Sequence, residues 1–362
     1  MKCFATTNSL QITAQGNLQP CCKFKKPLGD INVLDDYFTL ESLTDLKSQH
    51  TNDVWTNNCK DCMNNEKVGL QSRREMYGII GLTDADFFLD ISMGNYCNLK
   101  CRMCGPENST QWRSDFTALV DKGLVPDERY TNFSLTKEQV DHIIAILETK
   151  SGRIIIEVKG GEPLLMPISQ YFFEQLAACK NADQFTIWMT SNLTKIPDWW
   201  YTISAQLQQI EFNVSMDGVG EYYNYIRGTR SSSLDVIKNA SLLNKLDNHR
   251  LRFNIVVQNL NMNNLAELYD TCIDIVDNET DISLIPLRNP SYYQPNVFPD
   301  HQKKQVVAKM STSKIVDNRD YNSIVDYFMQ PCDQQKWQQF LAISNTLDEL
   351  RGQNLCSVLT VT

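Results

Sequence analysis

Cys97-Asn98-Leu99-Lys100-Cys101-Arg102-Met103-Cys104 follows directly on an alternating apolar run and sets three cysteines at x3 and x2 spacing. Three thiolates on one tight loop can hold three corners of an iron–sulfur cube. The loop supplies no fourth ligand, so one iron is left open to a substrate or cofactor, whereas a cluster held by four cysteines mainly carries electrons. A structural zinc site is the competing reading. Zinc in that role takes four closed ligands, and this loop offers three before Gly105-Pro106-Glu107.

Outward from the loop, six short β-like runs alternate with helical patterns: 87–93, 153–158, 184–190, 209–215, 251–257 and 281–286. Thr136-Lys137-Glu138-Gln139 is a capping box that opens a helix with Val140, Ile143, Ile144 and Leu147 on one face. From Asn263 a second pattern groups Leu265, Leu268, Tyr269, Cys272 and Val276. Such alternation implies a parallel sheet with right-handed crossovers. Six units predict an α/β fold, a partial (β/α)6 TIM-type barrel. Chemistry in such barrels sits at the C-terminal ends of the strands, where the cysteine loop falls after the first.

The other strand ends carry their own candidates. The second ends in Lys159-Gly160-Gly161-Glu162-Pro163, two glycines that let the backbone approach a ligand closely and a carboxylate. The third ends in Thr190-Ser191-Asn192, whose polar side chains either reach a ligand or cap the next helix. The fourth ends in Val214-Ser215-Met216-Asp217-Gly218, with Tyr225-Ile226-Arg227-Gly228 beyond it. Arg227 either grips a carboxylate by two parallel hydrogen bonds or makes a surface ion pair, and Asp217 suits the bracing of its own turn. The fifth ends in Val256-Val257-Gln258-Asn259-Leu260-Asn261, an apolar wall for a ligand or plain core.

Before the first strand, Leu10-Gln11-Ile12, the turn Gln15-Gly16-Asn17 and Leu18-Gln19-Pro20-Cys21-Cys22 read as a β-hairpin. Cys3 precedes it, and Cys59-Lys60-Asp61-Cys62 comes later. Together they can bring four thiolates to one closed cluster, or to a zinc knuckle with the same ligands. Cys332 and Cys356 are singletons, and Cys179 and Cys272 read as core thiols. His50, His142, His249 and His301 join no ligand-spaced group. Two helical patterns end the chain, one with Tyr321, Ile324, Val325 and Phe328, the other running from about Cys332 through Trp337, Phe340, Leu341 and Leu347 to Gly352. Three parts are expected: 1–80 as a small cysteine-bearing domain, 81–290 as the barrel and 291–362 as a helical region.

With 362 residues, 42% of them hydrophobic, the chain has room for one large domain and something smaller. No apolar run reaches the length of about 18 residues that a membrane span needs, and the start lacks the apolar core of a signal peptide; a cytoplasmic protein is expected. In a reducing compartment, twelve cysteines in spaced groups read as metal ligands before disulfides. A net charge of −9 with no basic block argues against a duplex nucleic-acid partner.

Cys-x3-Cys-x2-Cys, Gly-Gly-Glu-Pro, Ser-x-Asp-Gly and Ile-Arg-Gly occur in that order on successive strand–helix units, and in this the chain resembles the radical SAM superfamily. The resemblance implies a 4Fe–4S cluster on Cys97, Cys101 and Cys104, whose open iron chelates S-adenosylmethionine. It implies one-electron cleavage of that cofactor to a 5′-deoxyadenosyl radical, which takes a hydrogen from a substrate. Carried over residue by residue, Glu162 with Gly160 and Gly161 meets the methionyl amino group, and Ser215 and Arg227 meet the ribose and the carboxylate. Asn192 reaches cofactor or substrate, Val257 walls the adenine, and Met103 stands where the family usually places an aromatic residue flanking it.

The spacing Cys3-x12-Gly16-x4-Cys21, with Leu28-Gly29-Asp30-Ile31, Trp55 and Cys59-x2-Cys62, is similar to the opening of SPASM and twitch domains. Those domains usually follow the barrel, and here the segment precedes it; the cysteines that complete a two-cluster version are missing. The resemblance therefore implies one auxiliary 4Fe–4S cluster on Cys3, Cys21, Cys59 and Cys62, with Cys22 spare, and an electron donor such as flavodoxin or ferredoxin. Relatives of this kind often modify peptides, so a peptide or protein side chain is the first expectation for the substrate and a small molecule or nucleotide the second. A non-catalytic iron–sulfur or zinc scaffold for a partner protein is the alternative of another class.

Overall fold

The computed structural model describes residues 3–67, 71–128, 130–228, 231–276 and 278–359. They form two compact units that alternate along the chain. The first takes the chain up to Tyr96 with Thr131–Thr190 and Pro197–Glu211; the second takes Cys97–Tyr130, Ser191–Ile196 and everything from Phe212 onward.

In the first unit, β1 (Ser9–Ile12) and β2 (Asn17–Gln19) form the expected hairpin, pairing Gln11 with Gln19 and Ile12 with Leu18. A short β3 (Gly29–Asp30) continues it antiparallel. The hairpin is not a free-standing appendage. β1 pairs in parallel with β4 (Phe87–Ser92), from Ser9 against Phe88 to Ile12 against Ile91. β5 (Ile154–Lys159) and β6 (Phe185–Ser191) follow in parallel. All six residues of β4 are buried, as expected of a parallel strand with neighbours on both edges.

The helix Lys137–Glu148 starts on its capping box: Thr136 Oγ1 accepts from the Gln139 amide, and Gln139 Oε1 accepts from the Thr136 amide. Its apolar face buries Val140, Ile143 and Leu147, each worth roughly 1.5–3 kcal/mol of transfer free energy.

β7 (Gln209–Ser215) spans the boundary between the units. Within the second unit, β8 (His249–Val257) and β9 (Ile282–Pro286) pair in parallel, from Phe253 against Ile282 to Val257 against Pro286. Leu251, Phe253, Ile255 and Val257 are buried and their neighbours less so, the period of two that makes a strand legible. The helix Leu265–Ile273 buries Leu265, Leu268, Tyr269 and Cys272. The chain ends in the expected helices Tyr321–Phe328 and Gln334–Arg351.

A further helix, Asp300–Met310, lies in the expected helical region ahead of the two patterns read there. It buries Val306, Met310 and Lys303. The Lys303 ammonium pairs with Asp300 at 2.6 Å and donates to the carbonyls of Asn296 (3.1 Å) and Gln330 (2.5 Å). With two apolar residues and a lysine on its buried face, it leaves no hydrophobic period to read. The fold class is the expected α/β one, with parallel strands and an unclosed sheet. Among the described residues no helix is long and apolar enough to cross a membrane.

Candidate active site

The cysteine loop lies in the second unit. Cys97 and Cys101 are buried and Cys104 half-buried, and none of the three is in a disulfide. Leu99 packs with Cys97 and Cys101, with Met103 and Cys104 against them. The main chain is pinned at several points. The Cys104 amide donates to the Cys101 carbonyl at 2.9 Å, and Trp112 Nε1 donates to the same carbonyl at 2.8 Å. Ser109 Oγ donates to the Leu99 carbonyl.

Two side chains direct nitrogen donors at the sulfurs. Asn192 Nδ2 is 3.8 Å from Cys97 Sγ, and Arg227 Nη1 is 3.5 Å from Cys101 Sγ. Asn192 also caps its turn: its Oδ1 accepts from the Thr194 amide (3.0 Å) and hydroxyl (2.8 Å), while Nδ2 donates to Asn98 Oδ1 at 2.9 Å.

Arg227 is no surface residue. It ends the buried side of the helix Glu221–Arg227 and faces Asp217 at 2.9 Å, with side-chain exposures of 6% and 0%. Asp217 does more than brace its own turn, since Oδ1 accepts from the Val256 amide in β8 at 2.9 Å. Burial pushes the Asp217 carboxyl up despite Arg227 beside it. Burial disfavours the charge of Arg227, and Asp217 beside it holds the guanidinium charged.

Burial also raises two of the three thiols. Cys101 is pushed up against the pull of Arg227, and Cys104 goes up to about 12. Both thiols must lose their protons to bind metal. The Asn192 and Arg227 donors suit the sulfur charge that then appears, and hydrogen bonds to sulfur are one of the protein's levers on an iron–sulfur centre. Three thiols on one loop, two of them buried and met by such donors, fit a cluster with one open iron. Ser215 is half-buried at the end of β7. Val257 lies on the fully buried face of β8, in line with Phe253 and Ile255, and Val256 on the other face.

The Gly-Gly-Glu-Pro segment lies in the first unit, just past β5. Gly160 and Gly161 have φ of +76° and +55°, a region that disfavours any Cβ. A Cβ at Gly160 would overlap the Ser92 hydroxyl, and one at Gly161 would overlap the Tyr96 carbonyl oxygen. The Glu162 amide donates to that carbonyl at 2.8 Å. Tyr96 is the residue before Cys97. The Glu162 carboxylate is 2% exposed and accepts from the Leu164 amide at 3.3 Å.

A half-buried charge ladder beside this segment is not expected from the motifs. Lys159 Nζ donates to Asp90 Oδ2 at 2.6 Å, and Gln11 Nε2 donates to the same oxygen at 3.0 Å. Lys159 also lies 3.8 Å from Glu157, which pairs with Arg73 at 2.8 Å. Burial pushes Asp90 up to about 6. The available signal was a charge at every second position: Asp90 in β4, then Glu157 and Lys159 in β5, on one face of otherwise apolar strands.

Cys3, Cys21, Cys59 and Cys62 line one cavity together with His50, Trp55, Arg73, Arg74 and Tyr77. Cys22 is exposed. His50 Nε2 lies 3.5 Å from Cys59 Sγ, so a histidine outside any ligand-spaced group belongs to this cavity. Burial raises Cys3 to about 11 and pushes Cys21 and Cys59 up as well. Four soft donors beside two arginines fit an anionic iron–sulfur cluster by their chemistry. Among the described residues, no three His, Cys, Asp or Glu side chains form a ready-made ion site.

Residues 91–272, half of the chain, match the family described as the Radical SAM superfamily, and residues 3–63 match SPASM, described as an iron-sulfur cluster-binding domain. The chain is 28% identical over 290 residues to a probable GTP 3′,8-cyclase of Methanocaldococcus jannaschii, covering 75% of this chain and 88% of that protein. It is 30% identical over 99 residues to the GTP 3′,8-cyclase of Streptomyces coelicolor, covering 27% of this chain and 24% of that relative, so it spans only about a quarter of the latter's length. Similar solved structures include anSMEcpe with bound AdoMet, at 16% identity and TM-score 0.42 over 63% of this chain and 60% of that one. Another is Streptococcus suis SuiB bound to its precursor peptide SuiA, at 14% identity and TM-score 0.41 over 86% and 69%.

Proposed function

Because the chain belongs to the radical SAM superfamily, we propose that Cys97, Cys101 and Cys104 hold its catalytic 4Fe–4S cluster and that the enzyme takes a hydrogen atom from a peptide or protein side chain. The cofactors of the family are that cluster and S-adenosylmethionine, and the SPASM domain brings a further iron–sulfur cluster. When bound, they supply a 5′-deoxyadenosyl radical through one-electron cleavage of S-adenosylmethionine. The observation that carries the reading is the pair of donors, Asn192 and Arg227, aimed at the sulfurs of Cys97 and Cys101.

The chain's own residues bind and orient. Arg227, held by Asp217, presents a fixed guanidinium to the methionyl carboxylate. Glu162 offers a carboxylate to the amino group, and Gly160 and Gly161 leave room for the main chain to come close. Ser215 hydrogen-bonds the ribose, Asn192 reaches cofactor or substrate, and Met103 and the Val257 strand end pack on the adenine. Cys3, Cys21, Cys59 and Cys62 hold the auxiliary cluster, with Cys22 left over. On this reading 1–80 is the auxiliary domain, 81–290 the catalytic core and 291–362 a helical extension. A flavodoxin or ferredoxin in the cytoplasm supplies the electron.

The peptide reading is supported by the SPASM match over residues 3–63, since relatives with such a domain often modify peptides. The second reading, a nucleotide substrate, is favoured by the likeness to the Methanocaldococcus cyclase. Anaerobically reconstituted protein given S-adenosylmethionine and dithionite should form 5′-deoxyadenosine. The same chain with Cys97, Cys101 and Cys104 changed together to Ala should not, while about four irons remain in the N-terminal site. Given GTP as the probe, cyclised product would establish the second reading and its absence supports the first.

A further inference from the structure

Arg102 sits between the second and third cysteines of the loop and is 0% exposed. A guanidinium so far from water is costly unless its donors are met by fixed acceptors. Its Nε donates to the Tyr225 carbonyl at 3.0 Å, and its Nη2 meets the Asp348 carboxylate and Gln353 Oε1, the latter at 3.0 Å. The guanidinium carbon lies 3.7 Å from the centre of the Tyr225 ring, close enough for a cation–π contact. The Arg102 amide donates to the Ile226 carbonyl at 2.7 Å. Gln353 closes the circuit by donating to the Asn224 carbonyl at 3.0 Å. The carboxylate of Asp348 is itself fixed, since its second oxygen accepts from the Leu355 amide at 2.6 Å after the chain turns back.

The same helical turn makes a second attachment. Arg351 Nε pairs with Asp115 at 2.7 Å, and Asp115 pairs with Lys100 at 3.1 Å. The Arg351 guanidinium lies 4.9 Å from the Trp112 ring, whose nitrogen donates to the Cys101 carbonyl. The residues on both sides of Cys101, and its own carbonyl, are therefore each held. The contacts converge on the sulfur that Arg227 approaches, and Arg227 directly follows Tyr225 and Ile226, which accept from Arg102.

We propose that the last turn of the Gln334–Arg351 helix, with Gln353 beyond it, is a clasp that sets Cys101 against Arg227, with Arg102, Asp348 and Gln353 as positioning residues for S-adenosylmethionine. The clasp rests on the radical SAM reading and adds a part of the chain outside the family match. Its action is geometric. The cluster needs only the three thiolates, whereas the cofactor needs the cluster and the Arg227 guanidinium at a set separation, and a misplacement of about 1 Å can cost a hundredfold.

The test uses the full chain, anaerobically reconstituted, as Asp348→Asn, which keeps the shape and removes the charge, and Arg102→Lys, which keeps the charge and removes the fork. Gln353→Ala is the milder third variant. Iron per chain, the electron paramagnetic spectrum of the reduced protein with and without S-adenosylmethionine, and the dissociation constant of that cofactor are measured. The N-terminal cluster serves as an internal control, because none of these residues touches its cavity. Iron content and the N-terminal signal should match wild type, while cofactor affinity falls about ten- to a hundredfold, as for the loss of one charge-assisted hydrogen bond, and the spectral response to S-adenosylmethionine shrinks. Gln353→Ala should move the same way by less. Wild-type affinity and response in both Asp348→Asn and Arg102→Lys would overturn the clasp, as would loss of the N-terminal signal in all three variants, which would make the contact general scaffolding. A wild-type protein that forms no 5′-deoxyadenosine overturns the underlying reading instead.

Discussion

Gly161→Ala puts the close approach after β5 to a quantitative test. At φ +55° an alanine costs about 1–2 kcal/mol of backbone strain. The added Cβ would overlap the Tyr96 carbonyl oxygen and lie 3.0 Å from its carbon. Both are main-chain atoms, so no side-chain rotation relieves the clash. The adjacent bond from the Glu162 amide to that carbonyl must yield, at a further net cost of about 0.5–1.5 kcal/mol.

Gly81→Ala is the matched control: φ is +70° and nothing lies within 4 Å of the new Cβ, so only the strain remains. Gly161→Ala should therefore lose roughly 1 kcal/mol more than Gly81→Ala, about 1–2 °C in Tm for a chain of this length. Tyr96 leads into Cys97, so the shift passes along the main chain into the cysteine loop. Affinity for S-adenosylmethionine should drop in Gly161→Ala and stay at the wild-type value in Gly81→Ala. Thermal unfolding and cofactor titration of the reconstituted variants measure both. Equal Tm losses with equal, wild-type cofactor affinity would refute the close-approach reasoning.

Three other outcomes are expected. Changing Cys59 and Cys62 to Ala should lower iron from about eight to about four per chain and leave 5′-deoxyadenosine formation without substrate intact; one zinc and four irons in the wild type would remove the auxiliary cluster. Glu162→Gln and Arg227→Ala should each weaken S-adenosylmethionine binding about ten- to a hundredfold, since a charge-assisted hydrogen bond is worth roughly 1.5–3 kcal/mol, with the cluster absorbance unchanged; normal binding by Arg227→Ala would restrict that residue to holding Asp217. His249, stacked on Phe212, is depressed by burial from 6.5 to about 4. Its neutral form is the one the fold favours, so its contribution, up to about 3 kcal/mol, is present above pH 6.5 and lost as pH falls through 4. An NMR titration should find no midpoint for its ring between pH 7.5 and 5.5, and a midpoint near 6.5 would refute the burial argument.

What could be read in the sequence was what has a short period. The strands β4 to β9, the Thr136 capping box and the Cys272 helix all announce themselves within a dozen residues. The joining of β1 to β4 does not, because a parallel pairing between distant segments leaves no local trace. Arg102 reads as a spacer between two cysteines, since its partners Asp348 and Gln353 lie at the far end of the chain. Helical spacing places Asp348 and Arg351 on one face, but nothing local says that the face meets the cysteine loop. The burial of Arg227 is also hidden, since arginine is rarely buried without a partner; Asp217 lies earlier in the same connection between β7 and β8, but nothing local says that the two side chains turn inward together.

The four-pair ladder between β1 and β4 bears on how the N-terminal module could be moved or removed. A module hung on a linker can be cut away at the linker; this one shares a sheet with the strand that leads into the cysteine loop. A fragment beginning at residue 81 would bare one edge of β4, whose Phe87, Phe88, Leu89 and Ile91 are all buried in the intact chain, and an apolar open edge invites pairing with other chains. Grafting the module onto another barrel would require a first strand that accepts β1 in the same register. A slip of one residue would turn Gln11 to the opposite face, away from Asp90. The hairpin and β4 thus hold together as a pair of strands rather than as two beads on a string.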